Sequence, residues 1–559
     1  MLRRPPENSV RKGGRKEMSD ITEWRVEDPD FWEKTGKHVA NRNLWISIPC
    51  LLNGFSTWLM WGIIAVQMVN LGFPYSKPEM FTLGAIAGFT GATLRIPSTF
   101  LIRIAGGRNT KWFTTALLMI PALGAGIFLR YPETPLWVFQ LLALTSGFGG
   151  GNFASSMSNI SFFYPKKVQG LSLGLNAGLG NFGVSVMQFL IPLVMTFPLL
   201  GPLSGDPRPL KIASGTFIGK IDAGTMTYIQ NAGLVWLLFL IPLFFLSFFL
   251  MNNIRTEAVS PHIGGLFTSC FRIVWMLAIG LIWAAVGLYF MLPPPVGIAL
   301  LSKYIVLPVV VFAVVMSLKF LTPPEVRTNL KRQYRIFTDP EMAKHTWAMT
   351  VIYTMTFGSF IGYAASFPLS IKVIYGFQHI LDPATGVWDH SIPNPNGPSA
   401  LQFAWIGPLI GALIRPVGGV ISDKTGGAII TGICAAGMVI SAVIVGYFMK
   451  LSYAVPNPEQ YFWIFFVLYL LLFAFSGIGN GSTFRTIAVS FNEEQAGPVL
   501  GWTSAVAAYG AFLIPKIFGE QIKAGTPELG QYGFAAFYAL CFVINYWFYL
   551  RPNAYIKNP

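Results

Sequence analysis

A chain of 559 residues in which 53% are hydrophobic and only 11% charged, with a mean hydropathy of +0.54, is too apolar for a string of soluble domains, where about 25% of residues carry charge. The net charge of +15 lies in short connections between apolar segments, which argues against a nucleic-acid surface and fits membrane orientation. Four cysteines without CxxC spacing argue against disulfides and metal sites, so composition points to a polytopic membrane protein with no metal and no cofactor.

Residues 1–42 are polar and basic, without the apolar core and cleavage site of a signal peptide. They read as a cytoplasmic tail with a surface helix around 28–40, and Met18 is an alternative start to Met1. A spanning helix takes ~20 apolar residues. Six such segments follow, at about 43–71, 79–104, 112–130, 135–162, 168–197 and 229–251. Two more lie at about 270–292 and 300–320, and a second six at 346–371, 400–422, 427–449, 460–490, 498–517 and 531–550.

The predicted organisation is therefore a tail (1–42), an N-terminal six-helix bundle (43–252), a linker with two additional transmembrane helices (253–345), a C-terminal six-helix bundle (346–551) and a short tail (552–559). The Lys/Arg bias places both tails on the cytoplasmic side of the cell membrane. The longest connections of the other side, 196–231 and 372–399, are rich in Pro, Gly and Asp and predict loops over that face.

The two sets of six are echoes of one another. Gly91-Ala92-Thr93-Leu94-Arg95 is matched by Gly411-Ala412-Leu413-Ile414-Arg415, and Gly106-Gly107 by Gly426-Gly427 at the same distance. Gly147 to Phe153 resembles Gly477 to Thr483, and Leu173-Gly174 to Phe182-Gly183 resembles Leu500-Gly501 to Tyr509-Gly510. Parallel repeats of six helices build major facilitator halves, with the substrate site at mid-membrane between them.

Each echo carries one arginine inside an apolar segment. An arginine at bilayer depth costs ~2.5 to ~17 kcal/mol depending on the reference, so it faces a cavity or a counter-ion. No Asp or Glu stands in the middle of any segment, which leaves a substrate anion as the counter-ion. At 1.5 Å per residue Arg95 and Arg415 lie at similar depth, and the guanidinium fork suits a planar oxyanion better than an ammonium does. The competing reading is that each arginine caps a helix or holds backbone carbonyls.

Gly170, Gly174 and Gly178 have the small-xxx-small spacing of closely packed membrane helices. Asn176 and Asn181 in the same segment need partners or a cavity, and Asn181 is placed to donate to the anion. Tyr353 and Phe357 share a helical face, and with Phe153 they offer ring faces to a flat anion, although aromatics at such spacing are commonly core or lipid-facing. Arg485 lies nearer the cytoplasmic end and snorkels. The five histidines fall at connections or segment ends, none placed to relay a proton at mid-membrane.

Glu27 to Trp32, Arg42 to Cys50, Gly151 to Met157, Gly178 to Ser185 and Thr356 to Gly362 make the chain resemble the NarK-type nitrate/nitrite porters of the major facilitator superfamily over nearly its whole length. The resemblance implies that Arg95 and Arg415 are the two nitrate-binding arginines, Asn181 the anion-binding asparagine, and Phe153, Tyr353 and Phe357 the aromatic clamp. It likewise implies two nitrate signature motifs, with Gly174, Gly178, Gly180 and Gly183 in the first and Gly501 and Gly510 in the second.

The two extra helices depart from the twelve-helix plan. Nitrate/nitrite exchange by alternating access is the expected activity, with the anion bridging the arginines, and proton-coupled nitrate symport is the alternative. A sensor lacks its signalling domain, an enzyme lacks any nucleophile and base or phosphate loop, and a carrier of larger organic anions conflicts with rings closing on a small site.

Overall fold

The computed structural model describes residues 20–559 apart from 261, 262, 295, 296 and 492, and the side chains of all of these except 170, 325, 329, 332, 333, 493, 494 and 497. Met1, Met18, His262, residues 1–19 of the expected tail, and the surroundings of Gly170 and Gly497 lie outside what it describes.

The fold is all helical in the membrane. The first six helices are α1 (Pro29–Leu59, continued after a 41° bend by Trp61–Leu71), α2 (Lys77–Ser98, continued by Leu101–Ala105), α3 (Gly107–Phe128), α4 (Leu136–Phe163), α5 (Lys166–Val194) and α6 (Asn231–Leu250). The extra pair is α7 (Leu266–Met291) and α8 (Lys303–Leu321). The second six are α9 (Ala343–Tyr375), α10 (Ala400–Thr425), α11 (Gly427–Ser452), α12 (Pro458–Ser490), α13 (Pro498–Lys523) and α14 (Pro527–Leu550).

Eleven of these runs are long and apolar enough to span on their own, and the bent pair in α1 makes twelve. The remaining two, α2 and α4, are long enough but more polar, because they carry Arg95 and the glycine, serine and asparagine of the repeat. They face each other inside the first half, so lipid does not decide their composition.

The expected surface helix at 28–40 is instead the start of α1. Asp28 caps it by accepting from the Asp30 and Phe31 amides, Pro29 opens its first turn, and a π-helical stretch at Trp32–Gly36 runs on into the span. Asp20–Ile21 pairs in parallel with Asn253–Ile254, tying the tail to the segment after α6. The two long connections fold as predicted into loops, pinned by two-residue and three-residue ribbons such as Ser214–Thr216 with Gly219–Ile221 and Ile380–Leu381 with Trp388–Asp389.

Within each half the echoed glycines are where helices touch. A Cβ on Gly91 would run into the Trp58 indole, and one on Gly150 would lie 2.6 Å from the Gly91 Cα. In the second half a Cβ on Gly477 would strike the Gly411 carbonyl, and one on Gly481 the Arg415 carbonyl. These contacts bring α2 onto α4 and α10 onto α12 in the same way.

Between the halves the packing is one-sided. On the half of the membrane nearest the two long loops, Gly62 abuts the Ala365 carbonyl and Gly88 the backbone of Ala511 and Phe512. There the Gln188 amide donates to the Ala364 carbonyl at 2.8 Å and the Ser185 hydroxyl to the Trp405 carbonyl at 2.8 Å. Toward the opposite face, a Cβ on Gly174 or Gly178 would meet no atom within 4 Å. Gly174 and Gly178 therefore do not mark a helix contact in this conformation. The loop face is sealed, and on the opposite side the Gly174 and Gly178 face of α5 stands open.

The extra helices are not free spacers. α7 packs on α2 and α3, with Gly280 facing Leu94 and Pro97 directly behind Arg95. Lys303 at the start of α8 reaches Glu520 of α13 at 2.6 Å, so the pair touches both halves. Their outer faces, including Phe267, Phe312 and Phe320, are exposed, as lipid contact requires.

Candidate functional site

Helix irregularities supply the site. α9 passes through a π-helical turn at Thr354–Gly358, a distortion that re-aims side chains and recurs at functional positions, and Phe357 sits in it. α10 breaks at Ile414, so that Arg415 opens its second segment. α5 breaks at Phe182 directly after Asn181, and the matching break in α13 falls at Tyr509.

The two arginines meet on one ring. The Arg95 guanidinium carbon lies 5.0 Å from the Phe357 centroid and that of Arg415 5.7 Å, so the two cations are at most about 11 Å apart. At an effective dielectric of about 20 their repulsion is at least roughly 1.5 kcal/mol. Among the described residues neither has a carboxylate in ion-pair contact.

Their surroundings differ. Arg95 is fully buried, donates from Nε to the Gly150 carbonyl and from Nη1 to the Ser504 carbonyl at 3.0 Å each, and is caged by Trp58 at 5.2 Å and Phe153 at 4.6 Å. Only its Nη2 lacks a partner. Among the described residues Arg415 has no hydrogen-bond partner, with Nε and Nη2 both buried and unpaired, and rests on Phe360 at 4.1 Å. Carbonyl capping thus holds for part of Arg95 and not for Arg415.

Tyr353 and Phe357 stack at 5.7 Å, and Phe357 stacks on Phe153 at 6.0 Å with 20° between planes. A flat ion held between two rings needs about 7 Å, twice the ~3.5 Å contact distance. The rings here leave no such gap. The Tyr353 hydroxyl is buried and unpaired beside the Asn480 amide, both of whose polar atoms are also unpaired.

Asn181 is completely buried, but it donates 2.7 Å to the Ala177 carbonyl of its own helix, leaving Oδ1 unpaired. Asn176 bonds the Ser156 hydroxyl at 3.1 Å and belongs to packing. Of the signature glycines, Gly180 abuts Leu51, Gly183 the Leu52 carbonyl and Gly510 the Gly358 carbonyl, while Gly174 and Gly178 face open space. The Gly501 carbonyl takes the Ser504 hydroxyl.

The Arg485 Nε pairs with Asp423, in the last turn of α10, at 3.2 Å. Trp58, Phe360 and Asn480 went unseen in the sequence. Phe360 is three residues from Phe357, and Asn480 is an amide in the middle of a glycine-rich apolar segment, so both left a signal; Trp58 left none.

The sequence profile described as Major Facilitator Superfamily matches residues 1–188. The chain is 35% identical over 537 residues to a protein of Thermus thermophilus named probable nitrate/nitrite antiporter NarK2, covering 96% of this chain and 97% of that one. It is 33% identical over 557 residues to the nitrate/nitrite transporter NarU of Salmonella typhimurium, at 95% and 96% coverage. Among solved structures, it superposes with a TM-score of 0.57 on a bacterial homologue of the human peptide transporters PepT1 and PepT2, at 13% identity over 90% of this chain and 97% of that one. The xylose transporter XylE from E. coli, partially occluded and inward open, gives 0.52 at 13% identity over 90% and 98%.

Proposed function

The chain belongs to the nitrate/nitrite transporter family of the major facilitator superfamily, and from that premise we propose that it exchanges nitrate for nitrite across the cell membrane by alternating access, with the anion bridging Arg95 and Arg415. The observation that carries this reading is the pair of guanidiniums on opposite halves, sharing the Phe357 ring and keeping three nitrogens unpaired. A desolvated polar group without a partner costs about 1–3 kcal/mol, more when charged. A planar monovalent oxyanion satisfies those nitrogens and cancels the repulsion between the two cations.

The halves 43–252 and 346–551 are the rocking bodies, and residues 20–42 and 552–559 lie on the cytoplasmic face. Arg95 is the fixed seat. Its backbone bonds to Gly150 on its own half and Ser504 on the other place one unpaired nitrogen toward the anion. Arg415 approaches from the other half, and Tyr353 and Asn480 supply neutral hydrogen bonds to the oxygens. Phe153 and Phe357 exclude water and limit the size of the cargo. Asn181 holds the bend of α5 beside the site.

Empty halves carrying facing cations resist closing, and loaded halves do not. That asymmetry favours exchange, because each reorientation needs an anion. Purified protein in vesicles loaded with nitrite takes up nitrate, and empty vesicles take up little; uptake into empty vesicles that follows an imposed pH gradient would overturn the exchange reading.

A further inference from the structure

The central arrangement of one cation from each half on a shared ring occurs a second time, at the sealed seam. Lys77 opens α2, the helix that also carries Arg95 18 residues further on, or about 27 Å of helix. Lys372 stands in the last turn of α9, beyond Phe357. The Phe377 ring lies 3.7 Å from the Lys77 ammonium and 5.3 Å from that of Lys372, so the two cations are at most about 9 Å apart.

Lys372 is 95% buried by residue surface, its exposure being 5%. Among the described residues its ammonium has no hydrogen-bond or ion-pair partner. Lys77 spends one hydrogen on the His390 carbonyl at 2.7 Å, and Lys220 one on the Pro395 carbonyl at 2.7 Å. Of the nearby carboxylates, Glu459 accepts from the Asn394 amide, and Asp389, exposed at the loop surface, accepts from Ser391 through Oδ1 and acts on the Lys77 charge. Beside Lys372 is a cavity lined by Lys220, Asn70, Asn394 and Ser399, of about 20 Å³. That exceeds the ~10–15 Å³ a single water needs, which fits an occupant of a few atoms.

We propose that Lys372 and Lys77, with Lys220 at the cavity wall, form a second binding site for a small inorganic oxyanion at the loop-face seam, through which nitrate enters on its way to Arg95 and Arg415. A buried ammonium without a hydrogen-bonded counter-ion is costly, and a visiting anion would offset that cost. Because the seam joins Lys77 of one half to the loop of the other, the visiting anion screens the two lysines before the seam parts. The identity of the anion rests on the transport reading above.

The test has two arms. In vesicles of defined orientation, Lys372→Met raises the KM for nitrate presented at the loop face by about five-fold, the KM from the opposite face stays as in the intact protein, and Lys372→Arg restores the former. An unchanged KM at the loop face, or an equal rise from both faces, overturns the proposal. In the second arm the central site is disabled by Arg415→Lys, and protection of that protein from heat by millimolar sodium nitrate, over sodium gluconate, is followed. Protection that persists and disappears when Lys372→Met is added supports the seam site; no protection in Arg415→Lys, or protection insensitive to Lys372, overturns it. If the intact protein moves no nitrate, the transport reading fails while this second arm still decides the seam site.

Discussion

Arg95 and Arg415 occupy the same place in the repeat and play unequal parts in the molecule. Arg95 is fastened by two carbonyls and three rings, whereas Arg415 touches two rings and bonds nothing. A buried arginine can thus be part of the protein's own hydrogen-bond network or wait for a ligand, and sequence position does not separate the two. The first contributes to stability and to binding, and the second to binding alone.

The largest expected effect breaks that comparison apart. Lysine at either position removes the planar fork, so nitrate exchange falls roughly 30- to 150-fold in both variants, matching ~2–3 kcal/mol of charged hydrogen bonding. Thermal unfolding separates them. Arg95→Lys gives up the two charge-assisted bonds to the Gly150 and Ser504 carbonyls, about 1.5–3 kcal/mol each, and lowers the melting temperature, while Arg415→Lys, which keeps the charge and gives up no hydrogen bond, leaves it within a degree or two. Equal melting temperatures would show that the carbonyl bonds of Arg95 carry no stability.

A second contrast, between glycines of one motif, sharpens the view of how the halves move. Gly183→Ala and Gly510→Ala drive a methyl into the Leu52 and Gly358 carbonyls and cost roughly 1–3 kcal/mol of stability, read as reduced yield and melting temperature. Gly174→Ala and Gly178→Ala face open space here and leave stability unchanged. If α5 closes on the other half when the molecule reverses, both slow exchange several-fold without altering nitrate affinity. Normal turnover in these two would place that face of α5 outside the moving seam.

The smallest effect concerns the loop over the seam. His379 and His390 share a 2.7 Å contact between their Nδ1 atoms, His379 Nε2 faces the Ile374 carbonyl, and Tyr453 stacks on His390 and lies tilted against His379. Lys77 and Asp389 are the charged neighbours. Burial pushes His379 down from 6.5 to about 4, so the folded loop holds it neutral while the opened loop protonates it near the ordinary value. Stability of the loop is full above pH 6.5 and is lost as pH falls toward 4. Amide exchange in residues 376–399 should quicken from pH 7 to pH 5 relative to α12; exchange that tracks α12 would remove the histidine pair from the loop's stability.

Much of the fold was legible in the sequence because the bilayer enforces it. Segments of about twenty apolar residues, two extra helices in the middle, and the echo of Arg95 in Arg415 all follow from composition and spacing. The start of α1 at Pro29 was hidden by its polar first turns, since a helix that emerges from the membrane keeps its hydrogen bonds without keeping its hydrophobicity. The charged partner of Arg485 was hidden for the opposite reason, because Asp423 lies 62 residues away and pairs only once α10 and α12 are packed.

By itself, then, the sequence determined that the protein spans a membrane, that it is a tandem of two similar halves, and that two arginines lie at bilayer depth without a carboxylate among them. Those are properties of single segments, set by what each must satisfy in lipid. Only the tertiary structure decided that the two arginines share the Phe357 ring, that Arg95 is bound by carbonyls of both halves and Arg415 by none, and that Lys77 and Lys372 meet on Phe377. Each of those depends on which atoms long-range packing brings within a few ångströms, and on which partners are then already taken.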